Sequence, residues 1–264
     1  MTRRYGYDTE GFRRDEYLVD GVRSVVYGAG NGPPVVYFHG GGTFHGFEWA
    51  RDWIDRFRVI LPNHPGFGES ADDPDGYSIS DYLVHYTALF AALGLERFGL
   101  SGASMGGRLA AEFALMHPTK IHRLALAAPG GLVSADCPMP DFTSIPPAEL
   151  PKLLAADPAF VDRFWPADAD GEFLAERGRE AVSSGQVMGD SNAADRKLRR
   201  RLPRLTPPTL ILWGGKDHIL LPGLARHWAA AIPGARVALI EEAGHLLFDE
   251  SSRARAVAAD FLAG

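Results

Sequence analysis

With one cysteine, Cys137, the 264-residue chain has no internal disulfide framework, and no cluster of Cys and His has metal-ligand spacing. No apolar run approaches the roughly 20 residues needed to span a bilayer. The start of the chain, Met1-Thr2-Arg3-Arg4-Tyr5-Gly6, lacks the apolar core of a signal peptide, so the expected location is the cytoplasm, with no membrane partner. Positive charge is not in excess either. Against 33 Asp and Glu stand 27 Lys and Arg, a net charge of -6, whereas nucleic acids and anionic membranes favour clustered positive charge. The one basic run, Arg196-Lys197-Leu198-Arg199-Arg200-Arg201, reads as a solvated helix face. Internal repeats and low-complexity segments are missing too. What is present, 46% hydrophobic and 23% charged residues, suffices for one large core plus an insertion. A small-molecule substrate is the expected partner, with a homodimer left open.

The pentapeptide Gly102-Ala103-Ser104-Met105-Gly106 stands out by its setting. It follows an apolar strand-like run, Phe98 to Leu100, and opens a helix-like run that ends at Pro118. A serine hydroxyl is a poor nucleophile in water, and must be presented on a sharp strand-to-helix turn with a base on one side and backbone amides on the other. Glycines flanking such a turn spare it side chains that would strike the adjacent strand and helix. The bare pattern also fits an ordinary small-residue helix start, so the rest of the chain has to supply the partners.

It supplies them in the order this chemistry requires. Thr209 to Asp217 reads as a buried strand entering a glycine turn that ends in a carboxylate; Val237 to Ile240 reads as another strand, followed by Glu241-Glu242-Ala243-Gly244-His245. Ser104, Asp217 and His245 thus keep the Ser, acid, His order of one of the three triad architectures. Each lies just past the carboxyl end of a predicted strand, and in an open parallel sheet those ends share one edge, where ligands bind. Val35 to Phe38 is a further strand, feeding His39-Gly40-Gly41-Gly42-Thr43. Amides left free in that turn, Gly41 first and Gly42 second, would join the Met105 amide in a hole for a tetrahedral oxyanion. His39, beneath the glycines, is expected to brace the loop. The chemistry that follows is two-step acyl transfer: His245 takes the Ser104 proton, Asp217 orients the imidazole, and an acyl-enzyme forms that water then releases.

The remaining pattern is α/β. Residues 16 to 28 alternate around Asp20-Gly21, a hairpin signal. Strand and helix patterns then alternate: Val35 to Phe38, a helix near Phe47 to Ile54, Arg58 to Leu61, a helix from Ser80 to Leu93 with Ser78 and Asp81 at its cap, the Ser104 turn, and Arg123 to Ala127. Such alternation specifies a parallel sheet with right-handed crossovers. After Gly131 it breaks, and ten of the nineteen prolines fall between 133 and 208. Residues 133–205 therefore read as an inserted helical cap, and 1–132 with 206–264 as the core domain. The aromatic residues Phe160, Phe164, Trp165 and Phe173, with Phe44 and Phe47 from the oxyanion loop, are expected to pack the cap core, with lining of an apolar acyl or aromatic pocket as the alternative. Arg177 and Arg179 are candidates for recognising a substrate carboxylate, with an equal expectation that either faces solvent.

On His39-Gly40-Gly41-Gly42, Pro65-Gly66-Phe67-Gly68-Glu69-Ser70, the Ser104 turn, Asp217 and Gly244-His245, the chain resembles the α/β-hydrolase superfamily across nearly its whole length. The resemblance implies an eight-stranded, mostly parallel sheet flanked by helices, a cap inserted after strand six, an oxyanion hole, and cofactor-free, metal-free hydrolysis by a serine esterase. Asn63 stands where many relatives carry a structural Asp. Ser104-Met105-Gly106-Gly107 and Ala128-Pro129-Gly130-Gly131-Leu132 are similar to the meta-cleavage-product hydrolases, which split a carbon-carbon bond. Two departures are visible: Leu246 replaces their Trp after the His, and their asparagine after the glycine run has no match in Thr43 to Trp49. The expectation is therefore a hydrolase of a carboxylic ester or lactone with a small, largely apolar substrate. The alternatives are carbon-carbon hydrolysis, acyl transfer to another acceptor or perhydrolysis, and a non-catalytic ligand-binding member of the fold. Carboxylate-nucleophile epoxide hydrolases and dehalogenases are disfavoured by Ser104.

Overall fold

In the computed structural model, which describes residues 8–73, 75–140, 145, 149–165, 168–188 and 191–264, a single sheet organises the chain. Its strands are β1 (Arg13–Val19), β2 (Val22–Ala29), β3 (Pro34–Phe38), β4 (Arg58–Pro62), β5 (Phe98–Ala103), β6 (Ile121–Ala127), β7 (Thr209–Gly214) and β8 (Arg236–Ile240). They lie in the order β1-β2-β4-β3-β5-β6-β7-β8. Only β2 runs antiparallel to its neighbours; all pairings from β4 onward are parallel. The β1–β2 hairpin turns on Asp20 and Gly21, at φ 48° and 82°, the paired positive angles that match the right-handed twist of two strands. The signal-peptide reading of Met1 to Gly6 lies outside the described residues.

Helices α1 (Ile79–Ala92), α2 (Met105–Met116), α3 (Gly171–Met188), α4 (Ser191–Arg201), α5 (Leu224–Ala231), α6 (Leu247–Glu250) and α7 (Ser252–Ala263) complete the chain. Ser78 and Asp81 form a reciprocal capping box at the start of α1. Central strands send alternate side chains to opposite faces. Val36, Phe38, Ile211 and Trp213 meet α1, α2 and α5 on one side; Val35, Tyr37, Leu210 and Leu212 meet α7 and the Glu48–Trp53 segment on the other. That segment, expected as a helix over Phe47 to Ile54, is a short 3₁₀ helix. It is squeezed between Gly46, at φ 69°, and the start of β4, and short connectors of this kind favour the tighter winding.

Between β6 and β7 the described residues form helical pieces, with one isolated bridge between Ser134 and Cys137. The basic run lies on α4 with Arg196, Lys197, Arg200 and Arg201 exposed, the solvated face expected of it. Leu198 is fully buried, and the Arg201 guanidinium donates to the buried carboxylate of Glu112 on α2 at 2.8 Å. Among the described residues, no helix is long and apolar enough to cross a membrane.

Candidate active site

Ser104 joins β5 to α2 with φ 52° and ψ -118°, a conformation that costs on the order of 1–3 kcal/mol unless its surroundings enforce it. They do. Its N–H donates to the Ala127 carbonyl of β6 at 3.0 Å, and its own carbonyl accepts from Gly130 at 2.8 Å and Arg108 at 3.2 Å. A Cβ at Gly102 would lie 2.3 Å from the Gly106 carbonyl oxygen, and one at Gly106 would lie 2.2 Å from the carbonyl oxygens of Phe38 and His39. Both glycines are thus required by close backbone approach, which seats the turn between β3 and β6 and leaves the serine half-buried at the sheet edge.

Asp217 sits in the turn after β7, 1% exposed. Its Oδ1 accepts the amides of Ile219 at 2.9 Å and Leu220 at 2.8 Å, while Oδ2 accepts from His245 Nδ1 at 2.8 Å. The carboxylate is therefore held on both oxygens, and the imidazole is left with Nε2 as its free basic nitrogen. His245 and Ser104 border the same cavity of about 1150 Å³. No direct hydrogen bond links them in this conformation; serine–imidazole contacts often tighten only when substrate binds. The loop carrying His245 is fixed by Glu250, whose carboxylate accepts from Gly244 N at 3.0 and 3.1 Å and from Ala156 N at 2.7 Å. Burial holds the Glu250 carboxyl above its usual range despite those amides.

The predicted oxyanion loop faces the same space. Gly41 and Gly42 line the cavity beside Met105, and neither glycine amide donates to a protein group among the described residues. Met105 opens α2, so its amide falls outside the helix ladder. Beneath the glycines, His39 Nδ1–H donates to the Gly40 carbonyl at 2.8 Å, and its Nε2 accepts the His64 amide at 3.0 Å. His64 returns an Nε2–H bond to the His39 carbonyl at 2.9 Å and accepts from the Tyr86 hydroxyl on Nδ1. Burial keeps both rings neutral: it pushes His39 well below the ordinary imidazole value, helped by His64, and lowers His64 to about 3. The brace is a neutral histidine pair.

Three features of the cavity wall rest on pairings that the sequence does not announce. His45 Nδ1 pairs with Asp249 at 3.1 to 3.2 Å, and both residues line the cavity. Burial opposes charge on His45, but Asp249 outweighs it and the ring is held above its ordinary value. Arg177 also lines the cavity, yet its charge is committed: Nη1 donates to Glu180 at 2.6 Å, and the guanidinium stacks over Phe173 at 5.2 Å and Phe44 at 5.9 Å. Its Nε and Nη2 are buried and make no hydrogen bond among the described residues, the Glu176 carboxylate lying 3.9 Å from Nη2. Arg179 does not line the cavity; it binds Glu176, Asp72 and the Gly68 carbonyl. Lastly, Glu180 reaches the oxyanion loop and the Pro65–Ser70 loop, through partners 137 and 112 residues away in sequence.

Of the aromatic set, Phe44, Phe164 and Phe173 form a buried cluster with Phe160 and Trp165 packed on it, and Phe44 and Trp165 also face the cavity. Phe47 belongs to the core beneath, against Tyr27 and Phe12. Folding also gathers three candidate metal donors that no sequence spacing announced, Asp136, Cys137 and His227, whose ligand atoms lie within 4.8 Å of one another. None of them lines the cavity, and Arg226 and His227 already pair with Asp136.

Fold and site together define an α/β hydrolase. The chain belongs to the alpha/beta hydrolase family, whose model matches residues 35–260. One relative is 2-hydroxy-6-oxo-6-phenylhexa-2,4-dienoate hydrolase of Comamonas testosteroni, 29% identical over 267 residues and covering 89% of each chain. Lipase 1 of Psychrobacter immobilis is 26% identical over 257 residues, 87% of this chain and 77% of the lipase. Among solved structures, a thermophilic esterase from Thermogutta terrifontis matches with a TM-score of 0.75 at 23% identity, over 93% of this chain and 96% of that one. At that identity the structural likeness speaks for the fold alone.

Proposed function

We propose that the protein is a serine hydrolase cleaving a carboxylic ester or lactone of a small, largely apolar substrate through an acyl-enzyme. Ser104 is the nucleophile, His245 the general base and then acid, and Asp217 the group that orients the ring and stabilises its charged form. The Gly41 and Met105 amides, with Gly42 as second choice in the loop, receive the oxyanion. The observation that carries this reading is the Asp217–His245 hydrogen bond at 2.8 Å on the rim of the cavity into which the strained Ser104 turn projects. A largely neutral substrate is supported because, among the described residues, Arg177 is the one guanidinium in the wall and its Nη1 pairs with Glu180. The helical segment between β6 and β7 serves as the cap, roofing the cavity through Val133 to Ala135, Trp165 and the inner face of α3.

The test is turnover of a p-nitrophenyl ester together with labelling by a fluorophosphonate probe. Ser104→Ala, folded and free of wild-type enzyme, is expected to lose about a millionfold in kcat and all labelling. Near-normal turnover in that variant would remove Ser104 as nucleophile. A second reading, hydrolysis of a carbon-carbon bond in a dienoate, is favoured by the 29% identical dienoate hydrolase. Faster consumption of a ring-fission dienoate than of simple esters would select it.

A further inference from the structure

The glycine run Gly40–Gly42 is the most flexible stretch that the proposed chemistry asks to stand still, since glycine has more backbone freedom to lose than any other residue. It is clamped at both ends. On the N-terminal side the His39–His64 pair holds the Gly40 carbonyl. On the C-terminal side the clamp does not come from the core. It comes from α3, in the segment between β6 and β7: Glu180, 1% exposed, accepts the Thr43 amide on Oε2 at 3.0 Å and the Thr43 hydroxyl on Oε1. The same carboxylate accepts the Gly68 amide at 3.0 Å, and Arg177 neutralises it at 2.6 Å.

A buried carboxylate is costly unless charge and hydrogen bonds answer it, and removing one partner leaves the others unsatisfied. All four donors to Glu180 are in place, and three of them belong to two core loops that flank the cavity. Because a peptide unit is planar, pinning the Thr43 N–H fixes the Gly42 carbonyl and Cα, so the two amides of Gly41 and Gly42 lie between this fixed unit and the Gly40 carbonyl held by His39. The fit is close. A Cβ at Gly42 would lie 3.5 Å from Glu180 Oε2, and one at Gly41 would lie 2.6 Å from the Ser184 hydroxyl, one turn further along α3.

We propose that Glu180 is a positioning residue that sets the oxyanion amides, so that seating of α3 and assembly of the oxyanion hole are one event. The proposal rests on the serine-hydrolase reading above and deepens it: the segment that roofs the site also completes its catalytic geometry. A substrate that holds α3 down would thereby switch on the hole, and one too large to let α3 seat would bind without being turned over.

The experiment compares wild type with Glu180→Gln and Thr43→Val on a p-nitrophenyl ester. It also measures inhibition by a boronic acid, whose tetrahedral adduct places an oxygen in the hole. Glu180→Gln keeps the shape but turns one acceptor into a donor facing the amides. The expected loss is about ten- to a hundredfold in kcat with KM within about threefold, and a parallel rise in the boronic acid Ki, the mark of an interaction made in the transition state. Thr43→Val, which loses only the hydroxyl, is expected to lose less than about tenfold and carries the test if Glu180→Gln does not fold. A merely structural role would lower the thermal midpoint and leave kcat and Ki of the folded fraction unchanged; that result overturns the proposal. Ser104→Ala is run alongside. If it is inactive while Glu180→Gln is normal, the coupling alone is wrong; if it keeps turnover, the reading beneath it is wrong.

Discussion

Two imidazole–carboxylate pairs border the same cavity, His245 with Asp217 and His45 with Asp249, and both join Nδ1 to the acid. Their surroundings separate them. Asp217 is bound on both oxygens, with two amides of its own turn on Oδ1, and it meets its histidine at 2.8 Å. Asp249 lies on the single-turn helix α6 and meets His45 at 3.1 to 3.2 Å, with Arg177 and Glu180 acting on the same ring from α3. Only the first pair follows strands of the sheet as Ser104 does: Ser104 comes directly after β5, Asp217 in the turn after β7 and His245 in the loop after β8. An imidazole–carboxylate pair is therefore not a signature by itself. The three strand ends that bring Ser104, Asp217 and His245 to one sheet edge distinguish a proposed catalytic pair from one that shapes the wall.

Breaking the first pair is expected to have the largest effect. Asp217→Asn keeps the shape, but its amide can present a donor where Nδ1–H needs an acceptor, so kcat for an ester is expected to fall about ten-thousandfold with the fold intact. Stopped assays with calorimetry on the same sample read both quantities. A loss below about tenfold in the folded protein would place the functional acid elsewhere.

A third kind of imidazole sharpens the contrast, because His39 and His64 have no carboxylate and are buried neutral. Their folded values lie below the unfolded one, so their contribution to stability is complete above about pH 6.5 and is lost as pH falls, first by protonation of the unfolded chain. Each ring is expected to cost up to about 1.4 kcal/mol per pH unit on the way down. Urea titrations between pH 6.5 and 5.5 read this together with the same-signed loss from His85, which burial lowers to about 4, and the smaller ones from His117 and His122. Unfolding midpoints that stay constant across that window would mean the pair is not neutral and buried as described.

How much of this was legible in the sequence follows from which contacts are local. The Asp20-Gly21 hairpin, the Ser78–Asp81 capping box and Gly102 of the Ser104 turn are dictated by backbone geometry within a few residues, so composition announces them, whereas Gly106 answers to the carbonyls of Phe38 and His39 on a distant strand end. The chain order of Ser104, Asp217 and His245 became spatial information only because alternating strand and helix patterns fix a parallel sheet. By contrast, Glu180 meets Thr43 and Gly68 across 137 and 112 residues, and His45 meets Asp249 across 204. No periodicity links such positions, and on α3 the glutamate looks like one half of an Arg177–Glu180 surface pair. The basic run on α4 is the largely exposed face its composition predicts, but the pairing of Arg201 with Glu112 on another helix is invisible in sequence for the same reason. Of the two candidate substrate anchors, Arg177 does line the cavity, with part of its charge shared by the Glu180 carboxylate one helical turn away, and Arg179 does not.

The second pair is expected to give the smallest effect on chemistry and a distinct one on stability. Asp249→Asn leaves Ser104, Asp217 and His245 untouched, so kcat is expected to change by less than about threefold. Its mark is in pH dependence. The wild-type His45 value is raised, burial opposing charge and Asp249 overriding it, so the stability it contributes is complete below about pH 6.5 and is lost as pH rises through the folded value. The window lies above that of His39 and His64, and the two meet near the ordinary imidazole value. In Asp249→Asn the decline on the alkaline side should vanish while the acid-side loss persists, because the neutral pair is intact. Urea midpoints of both proteins at pH 6, 7 and 8, read against ester turnover in the same buffers, measure this. Equal alkaline slopes would show that Asp249 does not hold the His45 charge, and a large loss of kcat would move the second pair into the chemistry.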